Sequence, residues 1–212
     1  MKKLIILPIL LLFVNMNSYA LEKIALNQPN LDIGLPLMYA FLERQSHREF
    51  SPEQIPIEVL SNLLWATYGI NRPEFGKRTA PTATNAQEID VYVFTHEGVY
   101  LYHADNLILE PVHKGDVRKV LAAGQDFIME APISILIVAD ISKFRAGIDK
   151  ERAIRLACMD GGIVSQNLSL FCAANKLATV PRAMMDEAEL KKILKLKDTQ
   201  YPILNHPVGF RK

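Results

Sequence analysis

Cysteine is almost missing from this chain. Cys158 and Cys172 are the only two in 212 residues, which excludes a scaffold held together by disulfides. Neither cysteine stands at metal-ligand spacing from a histidine, and the five histidines (47, 96, 103, 113 and 206) show no such spacing among themselves. Excess charge is lacking too. With 24 Lys and Arg against 23 Asp and Glu, the net charge is +1, so the basic footprint that nucleic-acid binding requires is absent. There is no G-x-G-x-x-G turn for a dinucleotide and no G-x-S-x-G nucleophile elbow. Gly76-Lys77-Arg78-Thr79 places arginine where a phosphate loop needs Ser or Thr for magnesium. Cys158, set among Ile154, Leu156 and Ala157, reads as a buried structural thiol and not as a nucleophile.

What is present begins with MKKLIILPILLLFVNMNSYA: two lysines, an apolar run from Leu4 to Val14, and a small-residue ending at Ala20. That is the layout of a secretory signal peptide, and the run is short for a membrane span of about twenty residues. Residues 1–20 are therefore expected to be a cleaved leader, with an uncleaved N-terminal anchor as the alternative. The mature chain would be exported, periplasmic, and without stable membrane insertion after cleavage. Losing Lys2 and Lys3 would bring its net charge to about −1.

Residues 21–35 read as a polar lead-in and surface tail, and residues 36–212 as a single domain with a sizeable core. Helical periodicity covers PLMYAFLER, ending by Gln45, and PIEVLSNLLWATY, closed by Gly69. Residues 71–87 are polar, with two prolines and a glycine, and read as a long loop. IDVYVFT and VYLYH form a hairpin signal, and a short helix over GDVRKVLAAG precedes PISILIVAD, an apolar run suited to a buried strand. A long helix is expected over DKERAIRLACMDGGIVSQNLSLFCAANK. Its Gly161-Gly162 pair costs about 1 kcal/mol per glycine and calls for either close packing or a kink. With both cysteines on one helix, about 21 Å apart along its axis, no disulfide can form between them. A short strand at 179–181, a helix over 186–196 and a strand over 202–208 complete an irregular mixture, hence an α+β fold.

One cluster stands out at the end of the first helix. Arg44, Ser46 and Arg48 alternate, so on extended backbone their side chains share a face. Alone, R-x-S-x-R fits either an anion site or a solvated helix end. Together with Leu63-Leu64-Trp65-Ala66, Gly69-Ile70, Arg78 to Ala83, Asn85, Gln125, Ala131-Pro132, Thr179-Val180-Pro181 and Pro207-Val208-Gly209, it makes the chain resemble the nitroreductase superfamily. Within it, the chain resembles specifically the branch containing the SagB-type and thiazoline or oxazoline dehydrogenases. The resemblance runs from about Leu37 to Gly209.

The resemblance implies an α+β nitroreductase-like fold: a mainly antiparallel sheet flanked by helices, with a long central helix at a homodimer interface. It also implies FMN, a ping-pong hydride cycle through the flavin, NAD(P)H as an electron donor, and a small-molecule acceptor or substrate. Direction is left open between nitro or quinone reduction and SagB-like dehydrogenation. A flavin-binding protein without turnover and a cofactor-free interaction module are the alternatives. Carried across residue by residue, Arg44, Gln45, Ser46 and Arg48 match the FMN-phosphate segment, while Pro81, Thr82, Ala83 and Asn85 match a P-S-x-x-N loop that reaches the partner subunit's flavin. Thr82 stands where serine is usual. Gln125 matches a contact to the polar edge of the isoalloxazine, although alone it reads as a surface residue. Pro181, Arg182 and Ala183 match the segment beside flavin N5. Ala183 and Met184 replace the acidic residue and glycine of many relatives. Arg211, with Lys212, falls where relatives add phosphate-binding charge, and a frayed basic tail is its alternative. No protein side chain is expected to carry the hydride, and no metal is expected.

Overall fold

The computed structural model describes residues 20–212. The expected leader lies outside the described residues except for Ala20, and no described helix is long and apolar enough to cross a membrane. In chain order the elements are β1 (Ile24–Ala25), α1 (Leu37–Glu43), α2 (Ile57–Tyr68), β2 (Ile70–Arg72), β3 (Lys77–Arg78), β4 (Ile89–Phe94), β5 (Gly98–His103), β6 (Ile108–Lys114), α3 (Lys119–Ala122), β7 (Ile133–Asp140), α4 (Lys150–Ala174), β8 (Leu177–Thr179), α5 (Glu187–Leu194) and β9 (Gln200–Phe210). Seven strands form one antiparallel sheet in the order β1-β6-β5-β4-β7-β9-β8, and β2 and β3 form a separate hairpin. This is the α+β arrangement expected.

Strand alternation gives each sheet face its own core. Val91, Val93, Ile135 and Ile137 pack against the buried stripes of α2 and α4, whereas Tyr92, Phe94, Leu136 and Val138 pack with Leu121, Ile128, Leu190 and Leu194 of the opposite layer. The interior strand β7 is therefore buried along its whole length, and Ile135–Ala139 within it are apolar without alternation. In α2 the buried positions Leu60, Leu63, Leu64, Thr67 and Tyr68 recur at helical spacing. Gly69 closes this helix, but from extended backbone (φ −73°, ψ 173°) and not from a left-handed turn. Glycine is required there because a Cβ would stand 2.6 Å from the Trp65 carbonyl oxygen.

The helix α4 runs unbroken through its glycines, opened by the Asp149 carboxylate, which accepts the Arg152 N–H. Gly161 lies against Ile203 of β9, whose Cγ2 would be 2.8 Å from an added Cβ, so close packing and not a kink explains it. Gly162 faces open space. Both cysteines are free, as expected, but only Cys172 is buried; Cys158 is exposed. Ala157 and Asp160 take the inward positions on that turn, which turns Cys158 outward beside Met159.

Other differences concern short or interrupted elements. The lead-in is tied down: β1 pairs with β6, and the N–H groups of Asn27 and Asn30 donate to Ser61 Oγ and Asn62 Oδ1 of α2. Residues expected as one long loop contain the β2–β3 hairpin. Strand β6 was not legible because Pro111 interrupts it; the proline lies beyond the two residues that pair with β1, where a missing N–H costs no ladder bond on that side. The helix α3 is a single turn, shorter than its periodic stretch suggests.

Candidate functional site

The helix α1 stops at Glu43, and Arg44 already has extended backbone (φ −66°, ψ 114°). From there the chain runs to Phe50, which bridges Arg211, and it is fastened by His47 N–H donating to the Thr179 carbonyl and Ser51 N–H to that of Phe210, both at 2.9 Å. His47 is half-buried, whereas Arg44, Ser46 and Arg48 on the alternate positions are exposed, as is Gln45. The Arg44 N–H caps α1 by donating to the Ala40 carbonyl, but neither the Arg44 nor the Arg48 side chain makes a hydrogen bond or ion pair with a described residue. Glu43 is occupied by Arg211, whose Nη1 lies 3.3 Å from its carboxylate. Two unneutralised guanidinium groups flanking a hydroxyl are a ready anion site. The other Arg211 donors reach the carbonyls of Leu177 and Ala173 at 3.4 Å, so this arginine fastens the end of β9 to α1 and α4.

Thr179 connects this segment to the next group. Beneath β8, His206 is wholly buried between Ser165 Oγ (2.8 Å from Nε2) and Thr179 Oγ1 (3.3 Å from Nδ1), and burial pushes its pKa down to about 3, so it stays neutral. Beyond Val180 and the exposed Pro181, Arg182 turns inward and is only 6% exposed. Its Nε donates to Gln125 Oε1 (2.9 Å), its Nη1 to Leu121 O (2.6 Å) and Asn205 Oδ1 (2.8 Å), and its Nη2 to Ala122 O (2.8 Å). The guanidinium thus closes the C-terminus of α3 and fixes Gln125. Since Oε1 accepts from arginine, Nε2 is the donor end of the amide, and it donates only to the weak acceptor Met184 Sδ at 3.4 Å. The Arg182 N–H is used by Asn205, while Ala183 is exposed and its N–H makes no hydrogen bond among the described residues.

Pro81, Thr82, Ala83 and Asn85 lie on a tight turn held elsewhere. Thr84, Asn85 and Gln87 have left-handed backbone (φ 57°, 54° and 49°), and besides its own backbone bonds the turn is held through side chains by Ala83 N–H to Asp160 Oδ2 (2.7 Å) and Gln87 N–H to Thr82 Oγ1 (2.9 Å). Thr82 therefore uses the hydroxyl it shares with serine to shape the loop. Pro81 and Asn85 are exposed. No hydrogen bond joins this loop to Arg44–Arg48 or to Gln125 and Ala183. The structure brings together the first two groups within the chain and places the third on α4.

Sequence reasoning missed the buried acids Glu88 and Asp160 and the buried His206. A signal was present for Asp160 and His206, polar residues within α4 and β9, but not for Glu88, which follows a polar stretch and precedes β4. Among the described residues no cluster of histidine, cysteine and carboxylate side chains can hold a metal.

The nitroreductase family model matches residues 42–210. The chain belongs to the nitroreductase family. A Methanocaldococcus jannaschii protein that carries a provisional nitroreductase name is 31% identical over 177 residues, covering 79% of this chain and 87% of its own. The crystal structure of a protein from Ralstonia eutropha JMP134, also provisionally named a nitroreductase, superposes with a TM-score of 0.83 at 32% identity, covering 90% of each chain. A chain of the E. coli microcin synthetase McbBCD complex with truncated pro-MccB17 bound shares the fold at 17% identity and a TM-score of 0.68, over 99% of this chain and 85% of that one. This nitroreductase-family chain is thus an oxidoreductase by family, with its sheet and 25-residue α4 in the family's arrangement.

Proposed function

We propose that this nitroreductase-family protein is an FMN-dependent oxidoreductase acting as an exported homodimer. The carrying observation is the unpaired Arg44-Ser46-Arg48 set, fastened through His47 and Thr179 to the strand that leads to the free Ala183 N–H and the oriented Gln125 amide. These residues fit FMN in kind. Arg44 and Arg48 supply charge for a phosphate, Ser46 supplies a hydroxyl donor, and each charge-assisted bond contributes roughly 1.5–3 kcal/mol. Gln125 Nε2 would donate to the carbonyl edge of the isoalloxazine, and Ala183 N–H would donate to the nitrogen that exchanges hydride. FMN, when bound, supplies the hydride acceptor and donor of a ping-pong cycle, with NAD(P)H as one electron donor and a small molecule as acceptor. The chain's own part is to bind, orient and shield, which is why no acid–base pair is needed in the sequence. The SagB-type branch, and with it dehydrogenation of an azoline-type substrate, rests on the sequence motifs; export rests on the leader pattern.

The homodimer has support from unpartnered apolar surface. On α1, Leu37, Met38, Tyr39, Phe41 and Leu42 are 50–76% exposed, and on α4 the exposed Met159 and Ile163 flank Cys158 and the open Gly162. Large apolar side chains exposed in this number mark an interaction site. Alkylation is expected to label Cys158 slowly in the dimer and quickly on dilution to monomer, with Cys172 labelled only on unfolding. Concentration-independent labelling of Cys158 would remove α4 from the interface.

The function itself is tested by anaerobic titration of the flavin-loaded protein with reduced nicotinamides, followed by addition of a quinone or nitroaromatic. Bleaching of the flavin and its recovery on adding the acceptor are expected. A flavin that no donor reduces and no dihydro-heterocycle bleaches would instead identify a flavin-binding protein without turnover.

A further inference from the structure

Glu88, the residue before β4, is completely buried, and neither of its carboxylate oxygens meets a hydrogen-bond donor. Its neighbour is Asp160 of α4, itself 5% exposed, whose Oδ2 accepts the Ala83 N–H. The nearby cations are engaged elsewhere, and the pull of Lys143 on Glu88 is outweighed by burial. Lys143, after β7, has its ammonium on Asp90 Oδ1 at 3.0 Å. Arg78 of β3 gives its guanidinium to Gln87 Oε1, the Tyr68 carbonyl and the Tyr68 ring. The buried hydroxyl of Tyr68 on α2 has no partner of its own. Two carboxyls side by side in an apolar interior cannot both ionise without a cost of several kcal/mol. Among the described residues no donor reaches the Glu88 oxygens, and a proton carried by the pair would satisfy them.

We propose that Glu88 and Asp160 hold one proton between them and that this protonated pair positions the Pro81–Asn85 loop, Glu88 O–H donating to Asp160 while Asp160 Oδ2 keeps the Ala83 N–H. The functional consequence rests on the reading that this loop reaches the flavin of the partner subunit. The loop needs such a fastening because three non-glycine residues in left-handed backbone, at a cost of order 1 kcal/mol or more each, persist only when their surroundings hold them. Burial, and then the Asp160 charge, raise the Glu88 pKa from the ordinary carboxylate range to about 8. Folded Glu88 thus keeps a proton that the unfolded chain releases, so stability falls as pH rises from about 4.5 to about 8 and is flat above that. Ionisation above pH 8 places like charges together, and the hold on Ala83 is lost.

Glu88→Gln supplies a permanent N–H donor to Asp160 and cannot ionise. Three readings of the flavin-loaded and flavin-free protein between pH 6 and pH 9 test the pair. Amide exchange over residues 83–87, taken relative to E88Q at the same pH, should show protection at pH 6 that is lost by pH 9 in the wild type and kept in the variant. The urea midpoint should fall with pH only in the wild type. FMN affinity should fall on the order of tenfold between pH 7 and 9 in the wild type and stay level in E88Q, one charge-assisted bond being worth about that much. If E88Q folds poorly, Asp160→Asn, which can donate to an ionised Glu88, should move the loop transition to lower pH. The same pH response in wild type and E88Q would overturn the shared proton. A loop that responds while FMN affinity does not would leave the pair standing and remove the loop from the flavin site. FMN that binds nowhere would instead sink the proposed function, with the exchange result unaffected.

Discussion

Replacing Arg44 with alanine is expected to weaken FMN binding by roughly ten- to more than a hundredfold and to leave riboflavin binding nearly unchanged. The selectivity follows from the geometry. Arg44 is exposed, follows the last residue of α1, and is committed to no carboxylate of its own chain, so its deletion removes a charge for the phosphate and little else. A charge-assisted bond of about 1.5–3 kcal/mol corresponds to that range of affinity. Fluorescence titration of the flavin-free protein with each ligand measures it. Arg44→Lys should recover part of the loss, since the charge returns without the planar fork. Equal losses for FMN and riboflavin would mean a damaged fold. No loss for either would make Arg44 and Arg48 a solvated helix end.

Arg182→Ala should have the largest effect on stability. Four acceptors face its guanidinium, on Gln125, Leu121, Ala122 and Asn205. Removing the donor leaves the buried acceptors on Leu121, Ala122 and Asn205 unpaired. At about 1–3 kcal/mol for each buried polar group left unpaired, a loss of at least ~3 kcal/mol is expected, read as a lower urea midpoint at unchanged slope. Arg182→Lys should fall between, because one ammonium cannot serve acceptors arranged around a planar fork. If Arg182 acts only as a scaffold, the lysine variant will bind flavin with an unaltered absorption spectrum. If it also orients Gln125, that spectrum will shift as the amide turns. A stability change under 1 kcal/mol for the alanine variant would show that water replaces the guanidinium.

The long elements were legible because each buries a stripe at its own period. The α2 positions Leu60, Leu63, Leu64 and Tyr68 show 3.6-residue spacing, and the wholly buried β7 carries the apolar run Ile135–Ala139. Elements whose partners are distant in sequence were not legible. The pairing of Ile24 with Leu109 is invisible in a polar lead-in, and Pro111 argues against the strand that contains it. The site divides along the same line. Residue types in order pointed to Arg44, Ser46 and Arg48, and the early end of α1 places them on backbone where alternation gathers them. Which donors remain free is set by tertiary contacts alone. Only the structure shows that Arg211 is taken by Glu43, that Arg182 faces inward, and that Ala183 keeps an unused N–H. The same holds for Cys158, which apolar neighbours in sequence placed inside and the rotation of α4 turns outward.

The most direct test is the identity and amount of flavin released by acid from the purified mature protein. Stoichiometric, non-covalent FMN per chain, identified by chromatography after reconstitution where needed, is the expected result. FAD in its place, or no retained flavin after incubation with excess FMN, would contradict the assignment of Arg44, Ser46 and Arg48 as a flavin-phosphate site.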